Sequence, residues 1–313
     1  MELVWIVDSF DRVGRTLATA HIDLSSHRLQ GTWAAFIGVT VLSFDALLVK
    51  LANASSWDVM FWRGFFIFAT MALFSVKSGQ WRAMLVRNTA VAAWSVALLY
   101  GVSTGLFVLS VSNTMVANTV VILSSSPFFA ALFSWVLIGE VIRLRTVLAI
   151  LASMCGVAVV FSSSMQSGGW LGDTLALVLA ILMGLSLTIL RRNPGIPRVP
   201  VIAVSGVVAA LMAIPFANPL TLGVDSYGWL ALMGLVQMPM ASVLIMVATR
   251  YLPSPEVSLF LLIETVLAPI WVWWVIGEVP PSLALIGGLI VIGTIAVHSA
   301  LALKQDQKSA IPT

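Results

Sequence analysis

Ten apolar stretches run almost end to end through this chain, most of them close to the ~20 residues a helix needs to cross roughly 30 Å of hydrocarbon. Their approximate bounds are 32–52, 56–76, 89–111, 117–138, 146–162, 170–190, 199–216, 227–249, 255–276 and 282–303, the fifth and seventh being the shortest. Only 9% of the residues are charged, against about 25% in a soluble domain, so no soluble fold could hide this much apolar surface. The loops are basic and nearly uncharged by turns. Of 16 Lys and Arg, fourteen fall in the N-terminal tail (Arg12, Arg15, Arg28), in alternate loops (Lys77, Arg82, Arg87; Arg143, Arg145; Arg191, Arg192, Arg198; Arg250) and in the C-terminal tail (Lys304, Lys308). The positive-inside rule then puts both termini in the cytoplasm. Trp33, Trp57, Trp81, Trp170 and Trp229 fall near proposed helix ends, where an amphipathic indole settles at the membrane interface.

The same distribution explains the net charge of +3 without nucleic acid, since basic cytoplasmic loops are what insertion and anionic headgroups require. The single cysteine, Cys155, leaves no disulfide within the chain and no cysteine metal site. Three histidines, at 21, 27 and 298, make no H-E-x-x-H set, and neither G-x-S-x-G nor G-x-x-x-x-G-K-[ST] occurs, so no enzyme motif, nucleotide site or cofactor is indicated. Residues 1–30 read as a cytoplasmic tail whose apolar run is too short for a signal peptide; Val4, Trp5, Phe10, Val13 and Leu17 could build an interfacial helix within it.

An internal repeat organises the ten stretches. FSWVLIGEV at 133–141 and WVWWVIGEV at 271–279 agree at five of nine positions, a shift of 278 − 140 = 138 residues. That shift carries the connection between stretches 3 and 4 onto the one between 8 and 9, so the unit is five helices, and an odd number of crossings inverts the second copy. The expected fold is therefore an all-α integral membrane protein of ten transmembrane helices in two inverted five-helix repeats, 31–165 and 166–303, followed by a cytoplasmic tail at 304–313.

Ionisable groups inside the apolar stretches are few. Each costs at least about 2.5–3.5 kcal/mol at a helix centre and needs a partner or a wet cavity. Asp45 and Arg63 each lie roughly 10 Å below the same end of consecutive antiparallel helices, which makes them a candidate ion pair, either a fixed lock or a substrate grip. Glu264 lies about 18 Å deep in the ninth stretch with Gln237 of the eighth at similar depth. A carboxyl there can exchange a proton during a transport cycle, or serve as a neutral hydrogen-bonding wall. The fourth stretch carries Asn118, Thr119, Ser124, Ser125 and Ser126 before Pro127, whose ring frees a carbonyl about one turn earlier. Asn118 and Ser125, two turns apart, share a face with Ile122 between them and would line a cavity, or the serines would simply allow close helix approach. Glu140, Glu256 and Glu278 sit at helix ends and suit loops and packing. His298 is expected to be packed, and of the methionines and tryptophans within helices only a few should face a cavity.

The five-plus-five stretches, Trp62-Arg63 early in the second, LSSSPFFAALFSWVLIGE at 123–140 and its echo LLIETVLAPIWVWWVIGE at 261–278 together resemble the EamA group of the drug/metabolite transporter superfamily over residues 31–303. Lys50, in LLVK, matches a lysine frequent in that family, and Glu264 an acidic residue often found there, whereas Asp45 stands where many members are neutral. The resemblance implies a secondary transporter exporting small amphipathic metabolites, amino-acid-like or drug-like, across the bacterial inner membrane by alternating access. Coupling to protons and uncoupled facilitation are both open, as is the oligomeric state; a membrane-embedded sensor or enzyme is the remaining alternative. Asp45, Arg63, Asn118, Ser125, Gln237 and Glu264 are the candidate cavity or coupling residues.

Overall fold

In the computed structural model the described residues are 24–77, 79–86, 89–139, 144–252 and 254–309, and among them the secondary structure is helical throughout. The proposed interfacial helix of the tail and the Glu140 carboxylate lie outside them, as does the side chain of Glu256. The helices are α1 (Leu24–Leu42), α2 (Asp45–Leu51), α3 (Ser56–Lys77), α4 (Ala90–Asn113), α5 (Val116–Leu123), α6 (Ser126–Ile138), α7 (Leu144–Ser167), α8 (Trp170–Arg192), α9 (Arg198–Ala213), α10 (Val224–Ala231), α11 (Met238–Tyr251), α12 (Ser254–Ile276) and α13 (Ser282–Ser309). A π-helical turn, Leu232–Gln237, joins α10 to α11.

Among the described residues, six continuous or near-continuous stretches are long and apolar enough to cross a membrane: Leu29–Leu51, Ser56–Val76, Ala90–Asn113, Val116–Ile138, Trp170–Arg192 and Val224–Ala248. Thr146–Ser162, Arg198–Ala213, Phe260–Ile276 and Ser282–His298 are apolar but shorter. Large apolar side chains such as Trp274 (79% exposed) and Leu289 (73%) cover the outside, as a lipid-facing surface requires.

Local chemistry fixes the helix ends. At the start of α3 the Asp58 N–H donates to Ser55 Oγ at 3.2 Å while the Ser55 hydroxyl donates to Asp58 Oδ2 at 2.6 Å, a reciprocal cap. The repeated I-G-E-V ends α6 and α12 in the same way: Gly139 and Gly277 take φ of +78° and +81°, where a side chain would be strained. Their N–H groups bond back to Trp135 and Trp273, themselves 138 residues apart.

Two of the apolar stretches are interrupted: the first against the expectation of one helix over 32–52, the fourth close to Pro127, where irregular backbone is expected. The first stretch breaks at Ser43–Phe44 and the fourth at Ser124–Ser125. In the fourth, Pro127 lies in the first turn of the new helix α6, where its missing N–H costs nothing. Asn118 therefore lies in α5, and Ser125 in the turn that precedes α6.

Packing rests on close backbone approach, the main source of helix association where lipid is as apolar as side chains. The helix α3 lies on α9, α7 on α13, α1 on α11, and α4 on both α8 and α9. A Cβ built on Gly206 would meet the Gly64 carbonyl oxygen at 2.5 Å, and one on Gly287 would meet that of Gly156 at 2.6 Å, so both pairings depend on the absent side chains. The largest buried cluster, with Leu47, Val59, Phe107, Val116, Met233 and Val272 among its members, draws on both halves of the chain.

Candidate functional site

The break in the first stretch builds the site. A helix that stops at Leu42 leaves carbonyls with no intrahelical donor. The Gln237 amide, at the end of the π-turn, donates to Leu42 O at 3.4 Å and to Val41 O at 3.1 Å, the latter also accepting the Phe44 N–H at 3.3 Å across the break. Ser43 turns its hydroxyl onto Thr40 O at 2.6 Å and accepts the Trp271 indole N–H at 2.9 Å, while Phe44 stacks on the Trp271 ring with centroids 4.9 Å apart. The chain then restarts as α2, with Asp45 as its first residue.

Arg63, reaching from α3, places Nη2 2.8 Å from Asp45 Oδ2, as the matched depths of the two residues predict. The guanidinium lies over the Phe107 ring at 5.3 Å, a cation–π distance, and Nη2 is 4.0 Å from the Met238 sulfur. Both residues are almost fully enclosed, Asp45 4% and Arg63 2% exposed. Yet Asp45 Oδ1, Arg63 Nε and Nη1, and Gln237 Oε1 are buried without a hydrogen-bond partner. Orphaned buried polar atoms cost about 1–3 kcal/mol each, more when charged, so such a cluster calls for water or a ligand. Glu264 of α12 is half-buried and within charge–charge range of both Asp45 and Arg63. Four of the six candidates thus converge on the break in the first stretch.

The other two are held elsewhere. The Asn118 amide donates to Asp173 Oδ1 and to Thr114 Oγ1, each at 3.3 Å, and Thr114 donates to the same Asp173 oxygen at 2.6 Å. Ser110 extends this cluster to Thr119 and to Gly172 O, both at 2.8 Å, tying α4, α5 and α8 together. Ser125 donates its hydroxyl to Ile122 O at 2.6 Å, beside its own N–H at 3.1 Å, and the Ser124 hydroxyl donates to Val121 O at 2.7 Å, so the serines bond locally to the backbone of the break. Sequence reading missed Asp173; the available signal was an acid only three residues into an apolar stretch. His298 packs edge-on against Phe128 at 6.3 Å between ring centroids.

At the end of the bundle nearest α2, Lys50 Nζ lies 3.0 Å from Glu278 Oε2, and the other Glu278 oxygen accepts the Val116 N–H at 2.7 Å. Nearby helix ends are also tied through Asp58, which accepts the Asn218 N–H at 2.6 Å, and through Trp62, whose indole donates to Pro219 O at 2.8 Å.

The sequence model described as the EamA-like transporter family matches the chain twice, over residues 29–162 and 170–300. A solved structure described as "Crystal structure of protein" is similar in fold, with a TM-score of 0.61 at 18% identity over 88% of this chain and 99% of that one. The comparison with curated proteins gave no match.

Proposed function

This chain belongs to the EamA-like transporter family and is a multi-pass membrane protein; from that premise we propose that it is a secondary transporter exporting small amphipathic metabolites across the bacterial inner membrane by alternating access. The ten apolar segments all cross in this reading, as inverted five-helix halves at 31–165 and 166–303, with both tails in the cytoplasm. Support comes from the 138-residue equivalence of the helix ends at Gly139 and Gly277. The packing supports it too. Exchanging the halves turns the α1–α11 pair into the α4–α8 pair, and turns α3–α9 and α7–α13 into themselves, as a two-fold axis in the membrane plane would.

The observation that carries the functional reading is the enclosed Asp45–Arg63 pair with two orphaned donor nitrogens on Arg63 and one orphaned acceptor oxygen on Asp45, beside Glu264 and Gln237. A molecule bearing both an anionic and a cationic group would satisfy both sets, which favours the amino-acid-like end of the substrate class. In this reading Asp45 and Arg63 grip the substrate, Gln237 holds the broken helix, Glu264 carries a proton through the cycle, and Asn118 and Ser125 support the walls. Transport by the purified protein in proteoliposomes, against a panel of amino acids and amphipathic drugs with and without a pH gradient, tests it. Movement of at least one amino-acid-like compound, accelerated by the gradient, is the expected result. Movement that ignores the gradient makes the protein an uncoupled facilitator, and no movement of any compound overturns the transporter reading.

A further inference from the structure

The seven residues of α2 form a short helix set off from its neighbours at both ends. The Ser43–Phe44 turn, bridged by a Phe44 N–H to Val41 O bond of 3.3 Å, precedes them, and beyond them Asn53 takes a left-handed conformation, φ +42°, which stops the helix. Asp45, at the start of this helix, holds Arg63 in the centre of the bundle at 2.8 Å. Lys50, at its far end, holds Glu278 at the mouth at 3.0 Å. The first pair is nearly fully enclosed, whereas the Lys50 and Glu278 side chains are 25% and 15% exposed. Glu278 also anchors the first N–H of α5, so one carboxylate gathers α2, α5 and the end of α12. Between the two ion pairs Ala46, Leu47, Leu48 and Val49 are buried in the largest apolar cluster.

We propose that α2 is a hinged gate over the central site, latched at the mouth by Lys50 and Glu278 and at its base by Asp45 and Arg63. The hinge is the Ser43–Phe44 turn, steadied by the Trp271 ring and indole N–H. Because both ion pairs hang on one rigid helical turn and a half, a ligand that draws Arg63 away from Asp45 loosens the same body that Lys50 holds shut. Release of the Lys50–Glu278 pair lets the helix swing and uncovers Val49 and Leu47. Lys50 and Glu278 are thus positioning residues that control access and touch no substrate. The gate rests on the geometry of α2 and adds an access route to the transporter reading.

The test needs no substrate, which separates it from the transport assay. In a Cys155→Ala background, Val49→Cys places a thiol on the buried face of α2 (5% exposed), and Val160→Cys places a control thiol in a different buried cluster (0% exposed). Reaction of the purified protein in detergent with a hydrophilic maleimide reads opening directly. Glu278→Gln keeps an acceptor for the Val116 N–H but removes the charge, and Lys50→Met removes the other. Either change should raise labelling at position 49 about fivefold, the scale of a partly exposed ion pair, and leave position 160 unchanged. Asp45→Asn should raise it further through the base latch. Unchanged labelling at 49 in both latch variants overturns the gate, and so does an equal rise at 160, which would mean general loosening of the bundle.

Discussion

Arg63 keeps two nitrogens without a partner while its third binds Asp45, so the residue is held by one strong contact inside a desolvated setting. Removing that contact alone strands a buried charge, which costs about 3–5 kcal/mol, whereas removing both charges together does not. Asp45→Asn should accordingly lower the thermal unfolding midpoint in detergent more than Asp45→Asn combined with Arg63→Gln; strictly additive losses would show that the pair is energetically uncoupled. Glu264 poses a different question, because its carboxyl is within range of both charges without being required by either. Glu264→Gln keeps the shape and much of the hydrogen bonding of the neutral acid and removes its titration. The variant should fold and still exchange substrate for substrate in liposomes, but should lose accumulation driven by a pH gradient. Full proton-driven accumulation by this variant would assign Glu264 to packing.

Among the elements, the interrupted helices mark where backbone polarity is brought to depth and bonded by side chains: Gln237 at the break in the first stretch, Ser124 and Ser125 at that in the fourth. The uninterrupted pairs follow the opposite logic and touch backbone to backbone. At Gly64 a Cβ would collide with the Gly206 carbonyl oxygen, so Gly64→Val must force α3 and α9 apart at a cost of about 1–3 kcal/mol. Gly293→Ala in α13, where nothing lies within 4 Å, should leave the unfolding midpoint within a degree or two of the parent or raise it slightly. Equal behaviour of the two variants would remove close approach as the reason for glycine at position 64.

For the whole molecule the decisive quantity is the side of the membrane each connection occupies. Leu220, 85% exposed between α9 and α10, belongs to the set of loops without Lys or Arg, and Arg191 at the end of α8 to the basic set. In Cys155→Ala, single cysteines at these positions should react with an impermeant maleimide from opposite faces of sealed cells, position 220 from outside and position 191 only after permeabilisation. Labelling of both from outside would break the ten-helix frame and the cytoplasmic placement of the tails with it.

Hydropathy and charge by themselves determined that the chain is a helical membrane protein, since backbone in lipid must satisfy itself and the apolar segments leave no other solution. The 138-residue echo likewise put equivalent helix ends at Glu140 and Glu278 in sequence, and the structure adds that the preceding Gly139 and Gly277 both take the left-handed cap conformation. The Asp45–Arg63 pair was legible because depth along two antiparallel helices follows from residue counting alone. Only the tertiary structure decided that Gln237 would answer the broken first helix, 195 residues away in sequence, and that Asp173 would claim Asn118. Partners of that kind are set by which helices pack and at what rotation, and periodicity cannot supply them when apolar residues surround every helix. The separation of α2 as a short helix of its own was equally invisible, because Ser43 and Phe44 break the helix through contacts with Trp271 and Gln237 rather than through a proline or glycine of their own.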